Sequence, residues 1–234
     1  MKENNKMVIP SKEVKVKKVN VVEQKNYLQL RLNKLCDYDI VCEKSYNWIE
    51  TLKTLKTLKQ NENNITCKYI YDSLKENYNR KKFKNNTEPV YMDSFENYIK
   101  NGKKCRKNIQ FDFVCESMKL IIEYDEWQHF SEARKISLLK YPKNIELYFD
   151  KDLWIKACDD TQAKDSEPNR DERRAFYDSI RDIVFCRGGY KLIRIIHGQI
   201  DFKLDRDKDD KIIFKEDEAD KKLKEIFKKY KIKI

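Results

Sequence analysis

Three acidic residues, Asp112, Glu123 and Asp125, stand inside a stretch otherwise built for strands, IQFDFVCESMKLIIEYDEWQHF at residues 109–130. Phe111, Phe113, Leu120, Ile121, Ile122 and Tyr124 are apolar or aromatic and mostly β-formers, and the main polar break is Glu116 to Lys119, so the stretch predicts a β-hairpin. With its turn centred on Ser117-Met118, Asp112 lies directly opposite Glu123, at a Cβ separation of roughly 4.5–5.5 Å. Period-two alternation puts Asp125 on the same face as Glu123, and Phe111, Phe113, Ile122 and Tyr124 on the other. A solvated edge strand is the structural alternative. Facing carboxylates repel unless a cation lies between them, however, and a divalent ion with oxygen ligands is the usual solution. Gln128 and His129 follow at once, and His129 is one of two histidines in the chain. The set therefore reads as a site for a divalent cation on the oxygens of Asp112, Glu123 and Asp125, with Gln128 and His129 beside it.

The elements around this hairpin are less sharply written. Residues 14–22, VKVKKVNVV, read as an edge strand or an arm. Trp48, Leu52, Leu55 and Leu58 recur at helical spacing over residues 46–59, and Asn61 to Asn64 breaks the chain there, which places a basic, partly helical accessory segment at 1–60 and the main domain at 61–234. A second helix is predicted over residues 68–78. Lys103, Lys104, Arg106 and Lys107 lie just ahead of the strand that bears Asp112 and are candidates to hold a nucleic-acid backbone. Residues 131–178 read as an insertion, with a strand-like IELYF at 145–149 and an exposed loop at 159–174 running into a helix over 171–185. Gly188-Gly189 caps that helix and KLIRII, 191–196, is a buried strand, in which Arg194 is either a phosphate contact or a salt-bridge partner. A hairpin near 199–214 and a helix over 216–229, burying Ala219, Leu223, Ile226 and Phe227, complete the chain. A strand, helix, strand order around an antiparallel hairpin predicts an α/β fold with a mixed central sheet.

At 234 residues the chain can bury a sizeable core. No run approaches a membrane span and the first ten residues lack a signal-peptide core, so an intracellular protein with no membrane partner is expected. Seven cysteines without a CxxC pair fit reduced thiols rather than a disulfide framework or a zinc ribbon. The net charge of +11 is uneven: residues 1–107 hold 24 Lys/Arg against 13 Asp/Glu, a difference of +11, and residues 108–234 hold 27 of each. A basic region ahead of an acidic site suits a protein that binds a polyanion and cuts it, although a lysine-rich codon bias is the bland alternative.

The order FDF, IIEYDE-W-QHF, RD and GGYKLIRI, spread over Cys105 to Ile195, resembles the PD-(D/E)xK nuclease superfamily, and within it the branch similar to the very-short-patch-repair endonuclease, frequent in viral and phage proteins. The resemblance implies a restriction-endonuclease-like core and a Mg²⁺-dependent endonuclease, with DNA favoured over RNA as the partner; on that reading Asp112, Glu123 and Asp125 would hold Mg²⁺ (or Mn²⁺), Gln128 would orient water or phosphate, and His129, titrating near neutral pH, would act as acid or base in phosphodiester hydrolysis. It matches Asp112 and Glu123 to the superfamily's two acids, Gln128-His129 to the branch's QH pair and Arg181-Asp182 to its RD, which makes Arg181, with Arg194, a candidate nucleic-acid contact. Two departures stand out. The superfamily's lysine position falls on Asp125, and Glu126 stands where relatives have glycine. Both motivate a second reading, a non-catalytic nucleic-acid-binding protein on a decayed nuclease core.

Overall fold

The computed structural model describes residues 20–36, 39–50, 62–84, 108–167, 169–186, 189–200, 204–206, 212–214 and 216–233. Four strands form one mixed sheet in the order β1-β2-β3-β4: β1 (Val41–Glu50), β2 (Asn108–Cys115), β3 (Leu120–Asp125) and β4 (Lys191–Ile196). β1, β2 and β3 pair antiparallel, and β4 pairs parallel with β3. A parallel neighbour needs a long crossover. Here the crossover is helical, through α3 (Glu132–Leu139), α4 (Lys151–Thr161) and α5 (Arg170–Ile180), with a π-helical turn at Arg181–Phe185 leading back to β4.

Helices cover both faces. On one, α2 (Glu62–Lys84) joins α3, α4 and α5 over a core that includes Ile70, Leu74, Ile121, Trp154, Phe176, Phe185 and Leu192. On the other, α1 (Val21–Leu35) and α6 (Glu216–Lys229) pack Leu28, Leu32, Leu223 and Phe227 against Phe113, Ile122, Tyr124, Ile193 and Ile195. The protein is therefore α/β, a four-stranded mixed sheet between two helical layers. Strands β5 (Leu204–Arg206) and β6 (Ile212–Phe214) form a separate antiparallel pair. Among the described residues no helix is long and apolar enough to cross a membrane, and the described cysteines are free thiols.

Several sequence expectations change. Residues 46–50 are the end of β1 and not the start of a helix, while 51–61 lie outside the described residues. Val21 and Val22 open α1, whose N-terminus is fixed by a capping box in which Asn20 and Glu23 each accept the other's backbone N–H. Because β1 pairs with β2 and α1 buries Leu28 and Leu32 on the sheet, the described part of residues 1–60 is built into the same fold and is not an appendage. The IELYF run is not a strand: its one pairing is an isolated bridge of Tyr148 to Ile193. The hairpin register is as expected, with Phe113↔Ile122, Val114↔Ile121 and Cys115↔Leu120 around a turn at 116–119. Glu116 in that turn accepts from Lys44 Nζ at 2.5 Å, Tyr190 at 2.8 Å and Tyr46, contacts that pull its pKa down to about 2. The expected common face for Phe111 and Phe113 does not form. Phe111 packs with Phe185 and Tyr46 in one helical layer, whereas Phe113 joins the other. The alternation inverts at Asp112, and the β1 residue between its flanking pairs, Glu43, has a left-handed φ of 52°.

Candidate active site

The site is built where β2 and β3 separate. Their ladder stops at Phe113↔Ile122, and one step beyond it the side chains of Asp112 and Glu123 serve as acceptors for backbone donors: Glu123 Oε1 accepts Asp112 N–H at 3.2 Å and Asp112 Oδ2 accepts Tyr124 N–H at 2.9 Å. The two carboxylates are thus brought together as the register requires. Glu123 is buried, and burial pushes its carboxyl up to about 8, with Asp112 and Asp125 adding to the rise and Arg181 opposing it.

A further cation at the site comes from α1, which sequence reasoning did not identify. Lys25 Nζ donates to Asp112 Oδ1 at 2.8 Å and lies 3.5 Å from Glu126 Oε1. Burial opposes its charge, yet Asp112, Glu126 and Glu123 together outweigh burial and its pKa is raised. Gln24 on the same helix accepts the Tyr124 hydroxyl proton, which pins this turn of α1 to β3. The signal was present: Gln24, Leu28 and Arg31-Leu32 recur at helical spacing and are all buried, with Lys25 one turn before Leu28. Glu126, at the expected glycine position, holds Lys25 with one oxygen and accepts Gln128 Nε2 at 2.8 Å with the other. Gln128 is therefore tied to the acidic group through Glu126, and its carbonyl accepts from Arg174 at 3.0 Å.

Asp125 takes a different part from the one expected. Its carboxylate is buried against β4 and α4, accepting from Arg194 Nη1 at 2.7 Å and Trp154 Nε1 at 2.6 Å, so both oxygens are engaged away from Asp112. In the fold it serves as an acceptor for these two donors. Arg194, 1% exposed, also bonds Asp182 at 2.7 Å through Nε, and Asp182 in turn accepts from Arg134 and Tyr141, each at 2.7 Å. A buried, paired guanidinium of this kind cannot reach a nucleic acid, and the salt-bridge alternative for Arg194 is the one realised. Arg181 is also committed: it bonds Gln110 O at 3.0 Å and Asp178 Oδ1 at 3.0 Å and stands 3.6 Å from Glu123 Oε2. It acts on the acidic site from within and does not extend outward. Lys103, Lys104, Arg106 and Lys107 lie outside the described residues.

His129 closes a 3-10 turn at Trp127–His129, beyond the end of β3. Its Nδ1 lies 3.0 Å from Asp178 Oδ2 and 3.8 Å from Asp125 Oδ1. Burial alone would lower its pKa, but the Asp178 carboxylate more than compensates and the imidazole is shifted up. Asp178, on α5, was not singled out from sequence, because it is one of many acids in a polar run.

Among the described residues no group of three or more His, Cys, Asp or Glu side chains that could hold a metal ion is found, and Asp125 is engaged by Arg194 and Trp154. The donors that remain still suit Mg²⁺, which keeps several waters and binds through one or two carboxylates plus substrate phosphate. Asp112 and Glu123 supply two such hard oxygens, and the burial that holds Glu123 protonated is a cost that a cation would relieve. The chain matches no known protein-family model, no characterised protein and no solved structure.

Proposed function

We propose that this protein is a Mg²⁺-dependent endonuclease that hydrolyses phosphodiester bonds in nucleic acid, DNA in preference to RNA, on a restriction-endonuclease-like core. The observation that carries the reading is the pairing of Asp112 and Glu123 across a splayed β2–β3 junction, with a lysine ammonium on one of them. The mixed sheet, an antiparallel meander followed through helices by a parallel strand, is compatible with a restriction-endonuclease-like core. The +11 excess within residues 1–107 suits a polyanionic substrate.

When bound, Mg²⁺ supplies polarisation of the scissile phosphate and a water of lowered pKa. Asp112 and Glu123 are the residues that would hold it. In the hydrolysis a bond forms from the water oxygen to phosphorus while one ester P–O bond breaks, the water loses a proton to bulk solvent, and the leaving oxygen gains one. His129 is suited to give that second proton, because Asp178 favours its charged form. Glu126 and Gln128 fix the rim of the site.

The test is cleavage of plasmid and single-stranded DNA with Mg²⁺ by the wild type, Asp112→Ala and Glu123→Ala. Cutting by the wild type alone supports the proposal, and equal background nicking by all three overturns it. One observation favours the second reading, a binding protein on a decayed core: Arg181 lies 3.6 Å from Glu123, so the acid has a partner in the protein itself. In that case DNA is bound with or without Mg²⁺ and never cut.

A further inference from the structure

We infer that Lys25, carried by α1, is a catalytic residue that meets the substrate phosphate beside Asp112, supplying from a different element the charge that residue 125 lacks. The inference rests on the nuclease reading above.

Among the described residues, Lys25, Arg181 and Arg194 act on the acidic residues of the site, Arg134 lies behind them on Asp182, and their surroundings separate them. Arg194 is fully enclosed and bonded to Asp125 and Asp182. Arg134 is buried with Asp182 and Tyr141. Arg181 spends Nε and Nη2 on Gln110 O and Nη1 on Asp178. Lys25 differs from all three. Its side chain is 30% exposed and that of Asp112 is 23% exposed, so this pair faces the side from which a substrate must come. An ammonium has three N–H donors. One is given to Asp112 at 2.8 Å, and Glu126 at 3.5 Å attracts the charge without taking a close bond. A donor therefore remains for an incoming phosphate oxygen.

The surroundings hold the ammonium where it can do this. The Asn20–Glu23 capping box sets the start of α1, the Tyr124 hydroxyl bonds Gln24, the residue before Lys25, and Leu28 and Leu32 bury the following turns. Tyr124 thus uses its hydroxyl to hold the helix that brings Lys25 and its backbone N–H to hold Asp112, the residue Lys25 meets. A fixed charge aimed where negative charge grows in the transition state needs no reorganisation during the reaction, which is where electrostatic stabilisation is largest. Glu126, in a position expected to be glycine, supplies the second acid that keeps the ammonium on this spot.

The test uses the full chain with Lys25→Met, Lys25→Arg and Lys25→Ala, and a labelled DNA duplex with Mg²⁺ under single-turnover conditions. Melting curves select folded variants, DNA affinity is read by anisotropy in EDTA, and Mn²⁺ affinity by electron paramagnetic resonance. The expected result is a loss of about 100-fold in cleavage rate for Lys25→Met, the scale of removing one transition-state donor. DNA and Mn²⁺ affinities should not weaken in parallel, Lys25→Arg should retain part of the rate, and added methylamine should restore saturable cutting to Lys25→Ala. Wild-type cutting matched by Lys25→Met, or rate and Mn²⁺ affinity falling together without amine rescue, overturns the role of Lys25 and leaves the nuclease reading standing. A wild type that leaves the DNA intact overturns both.

Discussion

The backbone amide of Tyr124 donates to the side chain of Asp112 at 2.9 Å, one step past the point where the β2–β3 ladder stops. This one bond makes Asp112 both a structural cap for the splayed strands and the exposed acid of the site. The two roles can be separated. Asp112→Asn keeps an oxygen for the Tyr124 amide and should fold nearly as well as the wild type, whereas Asp112→Ala leaves that amide unpaired at a cost of about 1–3 kcal/mol. Loss of the Lys25 ion pair adds only about 0–1 kcal/mol, because both partners are partly exposed. Urea melts should rank the variants in this order, while both should lose DNA cleavage.

Glu123 gives the pH dependence of the metal-free protein. Its folded-state carboxyl is pushed up to about 8 from an ordinary 4.5, so between these values the folded protein holds a proton that the unfolded chain releases. The stabilisation is complete below the ordinary value and is lost as pH rises towards 8, at no more than about 1 kcal/mol per pH unit. His129, also shifted up, contributes in the same direction at the upper end of this range. Thermal melts in EDTA from pH 5 to 8 should therefore fall more steeply for the wild type than for Glu123→Gln. Adding Mg²⁺ or Mn²⁺ should raise the wild-type midpoint more at pH 8 than at pH 5.

Arg194 joins Asp125 and Asp182 in the interior, and its removal strands two buried carboxylates. Arg194→Met should destabilise the fold by about 3–5 kcal/mol, the range for breaking one side of a buried pair. At a temperature well below its melting point, its affinity for DNA at low salt should equal that of the wild type. A selective loss of affinity with unchanged stability would return Arg194 to the nucleic-acid surface.

Asp178 holds the charged form of His129. Asp178→Asn should lower the His129 pKa, and with only two histidines in the chain its imidazole resonance can be followed directly by NMR titration. If His129 protonates the leaving oxygen, the alkaline limb of the cleavage profile should move to lower pH in step with that titration.

The hairpin was legible because its information is local. The polar break Glu116–Lys119 fixed the turn, and the turn fixed Asp112 opposite Glu123. The strand KLIRII and the helix over 216–229 were legible for the same reason, each carrying its own periodicity. Asp125 was misassigned because alternation gives its face but not its partners, and those partners, Trp154 and Arg194, arrive from 29 and 69 residues away. Residues 46–50 read as helix because Trp48 begins a three-residue repeat that continues through 58, while the register that makes them strand belongs to β2. The helical spacing of Gln24, Leu28 and Arg31-Leu32 marks a buried face beside Lys25 but not the acids that Lys25 meets, because Asp112 and Glu126 arrive from distant parts of the chain.

The wide spacing of these contacts sets an order of events during synthesis. Lys25 leaves the ribosome 87 residues ahead of Asp112, and Asp125 emerges 69 residues ahead of the arginine that neutralises it. The acidic hairpin can form on the nascent chain beside Lys25, yet Asp125 lacks the guanidinium of Arg194 until β4 has been made. The proposed site, assembled this way, is complete only after most of the chain exists, so a truncated translation product ending before β4 carries the acids without the frame that aims them.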